Sequence, residues 1–229
     1  MIGTVVNVLA VLAGSTLGVI FRGKFPDKIQ KTLIQGISLA VMLIGFQMAL
    51  SIEKSPDIIL VIFSLVIGAV IGELLEIEKR LNDFGSALKE RFSAKDALFV
   101  QGFVQASLIY CVGAMAIMGA IQDGLNNDPS ILFTKSLLDG VTAIAFAASM
   151  GIGVAFSAIP ILIYQGSITI LAAWAEVFLT ADMIRIMTAT GGLLIVAIGL
   201  NMIAKTENIK TGNLLPALAV AVVLSAIIF

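Results

Sequence analysis

Seven stretches of the chain contain no Asp, Glu, Lys or Arg, and they govern what it can fold into. A membrane-crossing helix needs about 20 mostly apolar residues to traverse a hydrocarbon core of about 30 Å. The charge-free stretches are 1–21, 32–52, 58–72, 97–122, 140–175, 186–204 and 211–229. Their lengths and spacing predict an all-α integral membrane protein that forms a single transmembrane domain over 1–229.

Composition agrees with this prediction and excludes several functions. Hydrophobic residues make up 59% of the 229 residues and charged ones only 13%, whereas soluble domains carry about 25% charged residues. The net charge of −1 provides no basic surface, so no nucleic-acid partner is expected. Because histidine is absent and no nucleophile–base pair is readable, we predict neither an enzyme nor a bound cofactor. The sequence assigns no metal.

The longest charge-free stretch is too long for one span. It covers 36 residues, about 54 Å as a helix, and it contains Pro160, which disfavours a helix interior. Dividing it at a turn near 157–160 gives about eight transmembrane helices. They are predicted at 2–21, 31–51, 57–75, 96–121, 132–157, 160–179, 184–204 and 212–229.

Between the third and fourth spans lies a charged segment, 76–95. Its apolar residues recur every three or four positions, which predicts one apolar stripe on an amphipathic helix at the cytoplasmic surface. The stripe consists of Ile77, Leu81, Phe84, Leu88 and Phe92. The segment separates the first three spans, 1–75, from the central spans, 96–157, and the last three, 160–229.

The distribution of basic residues predicts the orientation. Cytoplasmic loops of membrane proteins are enriched in Lys and Arg. With an outside N-terminus, all but three of the 14 basic residues fall in inside loops, and only Lys54, Lys135 and Arg185 fall outside. Both termini are therefore predicted on the extracytoplasmic side. A re-entrant loop at 157–160 would instead move Lys205 and Lys210 outside.

An internal repeat relates two parts of the chain. Residues 36–75 align without gaps onto 190–229 at an offset of 154, which places Gln47 on Asn201 and Glu53 on Glu207. The two copies lie an odd number of spans apart, so they cross the membrane in opposite directions. Inverted-topology repeats are typical of secondary transporters. Chance similarity between apolar helices is the alternative interpretation.

Polar residues inside spans are the candidates for a binding site, because an ionised side chain there is costly and usually functional. Asp139 is the strongest candidate, with Thr142 on the same face; the alternative is that Asp139 lies at the outer interface. Further candidates are Asn7, Gln47, Gln101, Gln105, Ser149, Glu176 and Asn201. Asn7, Gln101 and Gln105 are alternatively explained as hydrogen bonds between helices, and Glu176 as a residue at the outer interface. Candidate hinge residues are Gly151, Gly153 and Pro160.

Two small-residue motifs predict close helix packing. Gly14 and Gly18 in the first span, and Gly68 and Gly72 in the third, have the GxxxG spacing that lets helix backbones approach in membranes. The motifs fit contacts within one chain and contacts between copies equally well, so a homo-oligomer is one possible outcome.

Several segments resemble a known family. They are the opening 1–7, the Asp139–Val154 run of small residues, and Pro160 followed by Tyr164-Gln165-Gly166. Together they resemble bacterial multi-pass membrane proteins of the YqgA/YdfK type, whose function is unassigned. The resemblance implies a multi-pass protein of the cell inner (cytoplasmic) membrane and implies no activity.

A looser likeness links the chain to small exporters of the LysE/MntP kind, which have an Asp followed by small residues. The chain lacks a second clear intramembrane Asp to match them, which argues against metal export. We expect a secondary transporter or channel for a small ion or solute, with Asp139 supplying charge. The alternative is a non-transporting scaffold, sensor or assembly factor acting through the 76–95 helix. The expected partners are the lipid bilayer and the small ion or solute.

Overall fold

The computed structural model describes residues 1–22, 27–52, 55–92, 94, 96–173, 178–203 and 209–228. All regular structure in these ranges is helical. The helices are α1 (Ile2–Phe21), α2 (Asp27–Ala49), α3 (Ser55–Leu75), α4 (Ile77–Arg91), α5 (Phe99–Cys111), α6 (Ala114–Leu125), α7 (Ser130–Met150), α8 (Ala158–Ile170), α9 (Ala181–Ile203) and α10 (Pro216–Ile228). Two 3₁₀ segments, Ile152–Ser157 and Thr211–Leu214, precede α8 and α10.

Within the described ranges, six helical segments are long and apolar enough to cross a membrane. They are Ile2–Phe21, Asp57–Leu75, Ser130–Met150, Ile152–Ile170, Ala181–Ile203 and Thr211–Ile228. The number rises to seven if α5 and α6 form one bent crossing. The apolar part of α2, Ile34–Ala49, is shorter than these six segments. The predicted all-helical membrane protein is therefore confirmed.

The fourth predicted span, 96–121, is interrupted. The structure ends α5 at Cys111 and starts α6 at Ala114, with a bend of 60° between them. Gly113 between them has φ 144°, a conformation that only glycine adopts readily.

The two helices nevertheless run onward across the bundle. Near the start of α5, Gly102 packs on Met150 at the end of α7, whereas Gly119 in α6 packs on Leu132 near the start of α7. The two helices therefore contact opposite ends of α7.

The predicted turn at 157–160 was wrong. The reversal occurs at Gly151, where α7 ends and φ is 85°. Span five therefore ends at Met150, because the chain needs a left-handed residue to reverse and Gly151 supplies it. Pro160 lies in the first turn of α8, where its missing N–H leaves no helical hydrogen bond unmade.

Two compact units divide the chain. Unit 1 comprises 1–34 and 82–178. Its α1 lies parallel to α7, since Gly3 packs on Leu132, Gly14 on Gly140 and Gly18 on Ile144. The approach is so close that a Cβ on Gly14 would lie 2.2 Å from the Gly140 carbonyl oxygen. The first GxxxG motif is thus used inside the chain.

Unit 2 comprises 35–81 and 179–229. Its α2 and α9 are antiparallel: Gly45 lies against Gly192, and the Ser38 hydroxyl donates to the Gly199 carbonyl at 2.5 Å. Its α3 and α10 are antiparallel too, with Gly68 against Ala217. The second GxxxG motif is likewise used within the chain, with Gly72 packed on the Asn213 backbone.

The predicted amphipathic helix forms as α4. In the part of α4 that belongs to unit 1, Gly85 is buried against Phe103, and the Phe84 and Phe103 rings lie 5.9 Å apart. Beyond its end, Phe92 packs edge-on against Phe156 at 4.8 Å. The apolar stripe thus contacts protein, while the charged residues Lys79, Arg80, Asp83 and Glu90 are exposed.

Candidate functional site

Asp139 lies in the interior of unit 1. It sits nine residues past Ser130 in α7 and is only 7% exposed. The Lys135 ammonium, one helical turn earlier and equally buried, forms an ion pair with Asp139 Oδ2. Asn7 of α1 donates from Nδ2 to the same oxygen at 3.0 Å. The carboxylate is therefore held by an ammonium on its own helix and an amide on α1.

Two buried amides continue the cluster. Asn7 Nδ2 also contacts Gln165 Oε1 of α8 at 3.2 Å, and both side chains are 0% exposed. Within the described part of the chain, Asn7 Oδ1 and Gln165 Nε2 have no hydrogen-bond partner. Buried polar atoms without partners are rare and costly, and they call for an explanation. One hydrogen-bond acceptor and one hydrogen-bond donor near the ion pair are thus available to a ligand.

The cluster reaches the break between α5 and α6. Tyr110, in the last turn of α5, is fully buried, and Lys135 Nζ lies 5.9 Å from its ring centroid. The Thr142 hydroxyl lies 3.4 Å from the Tyr110 hydroxyl and also bonds to the Asp139 carbonyl at 3.0 Å. The polar cluster therefore lies beside the interrupted helix.

Toward the start of α1, buried polar contacts continue. The Thr4 and Thr169 hydroxyls are 3.4 Å apart, and the Gly3 amide donates to Asp123 Oδ2 at 3.1 Å.

In the other direction along α7, the packing is apolar. Phe146 and Met150 are buried there, with Val154 beyond the turn. The buried polar contacts thus extend from Asp139 toward the start of α1, whereas the buried side chains of α7 beyond Thr142 are mostly apolar.

Other predicted residues of unit 1 do not join the cluster. Ser149 is buried, but it lies ten residues beyond Asp139, about 15 Å along α7, and bonds to the carbonyls of Ala145 and Phe146. Gln101 is exposed on α5. Gln105 is buried, and its Oε1 has no hydrogen-bond partner in the ranges that the structure describes.

The two amides paired by the repeat, Gln47 and Asn201, belong to unit 2. Gln47 is exposed on α2. Asn201 uses its side chain to bond both backbone groups of Ile209, at 2.7 and 2.8 Å. Glu176 lies outside the described residues.

Of the candidate hinge residues, Gly151 directly follows α7, Gly153 lies in the 3₁₀ segment beyond it, and Pro160 lies in the first turn of α8. A Cβ on Gly151 would collide with the ion pair of Arg22 and Asp96, and one on Gly153 would lie 2.0 Å from the Phe99 carbonyl oxygen. Burial lowers the pKa of the Arg22 guanidinium below its usual value. The turn is therefore tightly packed, and a hinge role for Gly151, Gly153 and Pro160 stays a prediction.

Three parts of the site were missed from the sequence. Lys135 was counted with the outer-loop cations, yet it lies in α7 and is buried against Asp139. Its spacing of four residues from Asp139 was a usable signal, because such residues share one helix face. Tyr110 and the break at Gly113 were missed as well.

Within the described ranges, no group of three or more His, Cys, Asp or Glu side chains could hold a metal ion. Two grooves beside α1 are lined almost entirely by apolar residues. One of about 320 Å³ includes Leu12 and Phe156. The other, of about 350 Å³, includes Gly14 and Phe133. Asp139 lines neither groove.

Comparisons with known proteins agree with this membrane architecture. The family model described as "Protein of unknown function (DUF554)" matches residues 2–226. The "Uncharacterized membrane protein YdfK" of Bacillus subtilis (strain 168) is 34% identical over 96% of this chain and 93% of its own. The "Uncharacterized protein YqgA" of Escherichia coli (strain K12) is 35% identical over 99% and 97%, respectively. No solved structure matches significantly. The resemblance to YqgA/YdfK-type proteins is confirmed, and the chain belongs to the DUF554 family.

Proposed function

We propose that the protein is a secondary transporter or channel that carries a small ion or solute, chemically unchanged, across the bacterial cytoplasmic membrane. The proposal includes eight transmembrane spans with α2 as the second, both termini outside, and an inverted repeat. The observation that carries it is the buried Lys135–Asp139 ion pair with its amide partners Asn7 and Gln165.

The energetic cost of this cluster supports a functional role. Ionisable residues in membrane spans are rare, pair with one another, and typically mark substrate or ion pathways. Helix association alone needs no charges, because packing of small residues such as Gly14 against Gly140 already provides it.

The interrupted helix also supports the proposal. Transporter sites are commonly formed where a discontinuous helix exposes backbone groups and helix ends to the substrate. The break at Gly113 follows directly on Tyr110, which contacts both Lys135 and Thr142 of the cluster. Irregular backbone at membrane depth is tolerated where it is buried in protein or lines a cavity.

Packing within unit 2 supports the repeat. The offset of 154 relates Ser38 to Gly192 and Gly45 to Gly199. The contact of Gly45 with Gly192 therefore corresponds to a contact of Gly199 with Ser38, and both contacts occur. Small residues occupy equivalent positions on the two antiparallel helices, as a two-fold relation between the copies requires.

Flux through reconstituted vesicles tests the proposal. Vesicles holding the purified chain would be offered labelled alkali and divalent cations, organic acids, amines and amino acids. We expect uptake of one class above protein-free vesicles, and loss of it in Asp139→Asn. The control is Asp83→Asn on the exposed face of α4, which should retain the flux.

Inert vesicles with every probe would overturn transport. A protein partner captured by the wild type, and lost when the charges of α4 are replaced, would then support the alternative scaffold, sensor or assembly factor.

A further inference from the structure

The charges of the cluster restrict which ligands it can hold. Lys135 and Asp139 neutralise each other in unit 1, and both side chains are about nine-tenths buried. A lone cation bound to Asp139 would leave the Lys135 ammonium buried without a counter-ion. A lone anion bound to Lys135 would likewise leave the Asp139 carboxylate buried without one. Leaving one member of a buried pair unpaired is strongly unfavourable. A ligand carrying both charges keeps both residues compensated.

The two unpartnered amide atoms also match a ligand with both charges, because one is a hydrogen-bond acceptor and the other a donor. Asn7 Oδ1 can only accept a hydrogen bond and Gln165 Nε2 can only donate one, and neither atom has a partner among the residues that the structure describes. Asn7 is bonded to Asp139. The free acceptor is thus on the residue beside the carboxylate, as an ammonium ligand requires. The free donor on Gln165 is of the kind that a ligand carboxylate needs.

The broken helix adds a third pair of opposite charges. The carboxyl end of α5 is partially negative and the amino end of α6 is partially positive. Both ends meet at Val112–Gly113. Tyr110, two residues before Val112, lies with its ring centroid 5.9 Å from Lys135 Nζ and its hydroxyl 3.4 Å from that of Thr142. A dipolar ligand beside the ion pair therefore finds complementary helix ends there.

From these three features we infer that the site takes a small zwitterionic solute, with an ammonium and a carboxylate on the same or neighbouring carbon atoms. This inference rests on the proposed transport function. The solute ammonium binds Asp139 and Asn7 Oδ1, and its carboxylate binds Lys135 and Gln165 Nε2. The direct Lys135–Asp139 contact is replaced by the bound solute.

The single cysteine provides a built-in probe. Cys111 is the only thiol of the chain, and it adjoins the cluster. The purified full chain would be treated with N-ethylmaleimide in the presence of each α-amino acid. Parallel samples would contain the matching amine without the carboxyl group, or the matching acid without the amino group; for glycine these are methylamine and acetate. The unfolding temperature would be measured in every sample as a second readout.

We expect at least one amino acid to slow labelling about fivefold at four times its Kd, and to raise the unfolding temperature. Its amine and its acid should do neither at the same concentration. Equal effects of an amine, an acid or an inorganic cation would overturn the inference. So would the absence of both effects with every amino acid.

The two proposals fail differently. Uptake of an inorganic cation, with no response to zwitterions, would contradict the ligand class and leave transport standing. Binding of a zwitterion without flux in vesicles would contradict transport and leave the ligand class standing.

Discussion

Lys135 and Asp139 form an ion pair in which both side chains are about nine-tenths buried. Removing one partner of a buried pair typically costs about 3–5 kcal/mol, while replacing both by apolar residues is often neutral. We therefore expect Lys135→Met and Asp139→Leu each to lower the unfolding temperature in detergent strongly. The double variant should recover most of the loss.

The matched control is the exposed pair of Glu76 and Lys79, whose charged atoms lie 3.1 Å apart. Lys79→Met should cost about 1 kcal/mol or less, because solvent screens the pair. Additive losses in the double variant at 135 and 139 would show that the two residues do not depend on each other.

At the residue scale, the sequence was most informative where a polar type is costly. Asp139, Asn7 and Thr142 were predicted because a membrane span rarely tolerates them, and the structure brings them together. Gln47 was chosen from its place in the repeat, which gives no information about which helix face is buried. Lys135 was misassigned because a charge near the end of a span was read as a loop residue.

Close packing of α1 on α7 gives a prediction at the element scale. Gly14→Ala would place a Cβ 2.2 Å from the Gly140 carbonyl oxygen, so the helices must separate at an expected cost of about 1–3 kcal/mol. A drop in unfolding temperature measures it. Gly36→Ala is the control, because nothing lies within 4 Å of its Cβ position, and it should be neutral or slightly stabilising. Equal responses of the two variants would contradict the α1–α7 contact.

The junction of α3 and α4 gives a second prediction at the element scale. Asn213 Oδ1 accepts from the Glu78 amide in the first turn of α4 at 2.8 Å, and its Nδ2 donates to Glu73 at 2.7 Å. Amides in the first turn have no partner within the helix. Asn213→Ala should therefore cost about 1–2 kcal/mol, measured by thermal unfolding. Asn82→Ala on the exposed face of α4 should change little, and a similar loss there would remove capping as the cause.

Elements were predictable to the extent that they are apolar and charge-free. Most spans follow from such stretches, since a helix in lipid must satisfy its own backbone hydrogen bonds. The interruptions were not predictable, because glycine serves two purposes here. Gly14 permits helix contact, whereas Gly113 and Gly151 adopt positive φ. Among 21 glycines, the sequence alone does not separate these uses.

On the scale of the whole molecule, both compact units are discontinuous in sequence. Unit 1 joins 1–34 with 82–178, and unit 2 joins 35–81 with 179–229. The sequence analysis grouped the first three, the central and the last three spans in chain order. In the structure, α1 packs with α7 and α8. Hydropathy indicates which segments enter the membrane but not which of them become neighbours. Which segments become neighbours depends on the shape complementarity of the helix surfaces.

The direction of each crossing yields the last prediction. Glu90 precedes α5 in the chain and Asn126 follows α6, and both side chains are exposed. If the pair is one broken span, they lie on opposite sides of the membrane; a re-entrant pair would place them on the same side. In a Cys111→Ala background, Asn126→Cys should react with a membrane-impermeant maleimide on intact spheroplasts. Glu90→Cys should react only after permeabilisation, because the basic residues near α4 favour the cytoplasm. Labelling of both positions before permeabilisation would contradict a crossing by α5 and α6, and the reverse pattern would invert the proposed orientation.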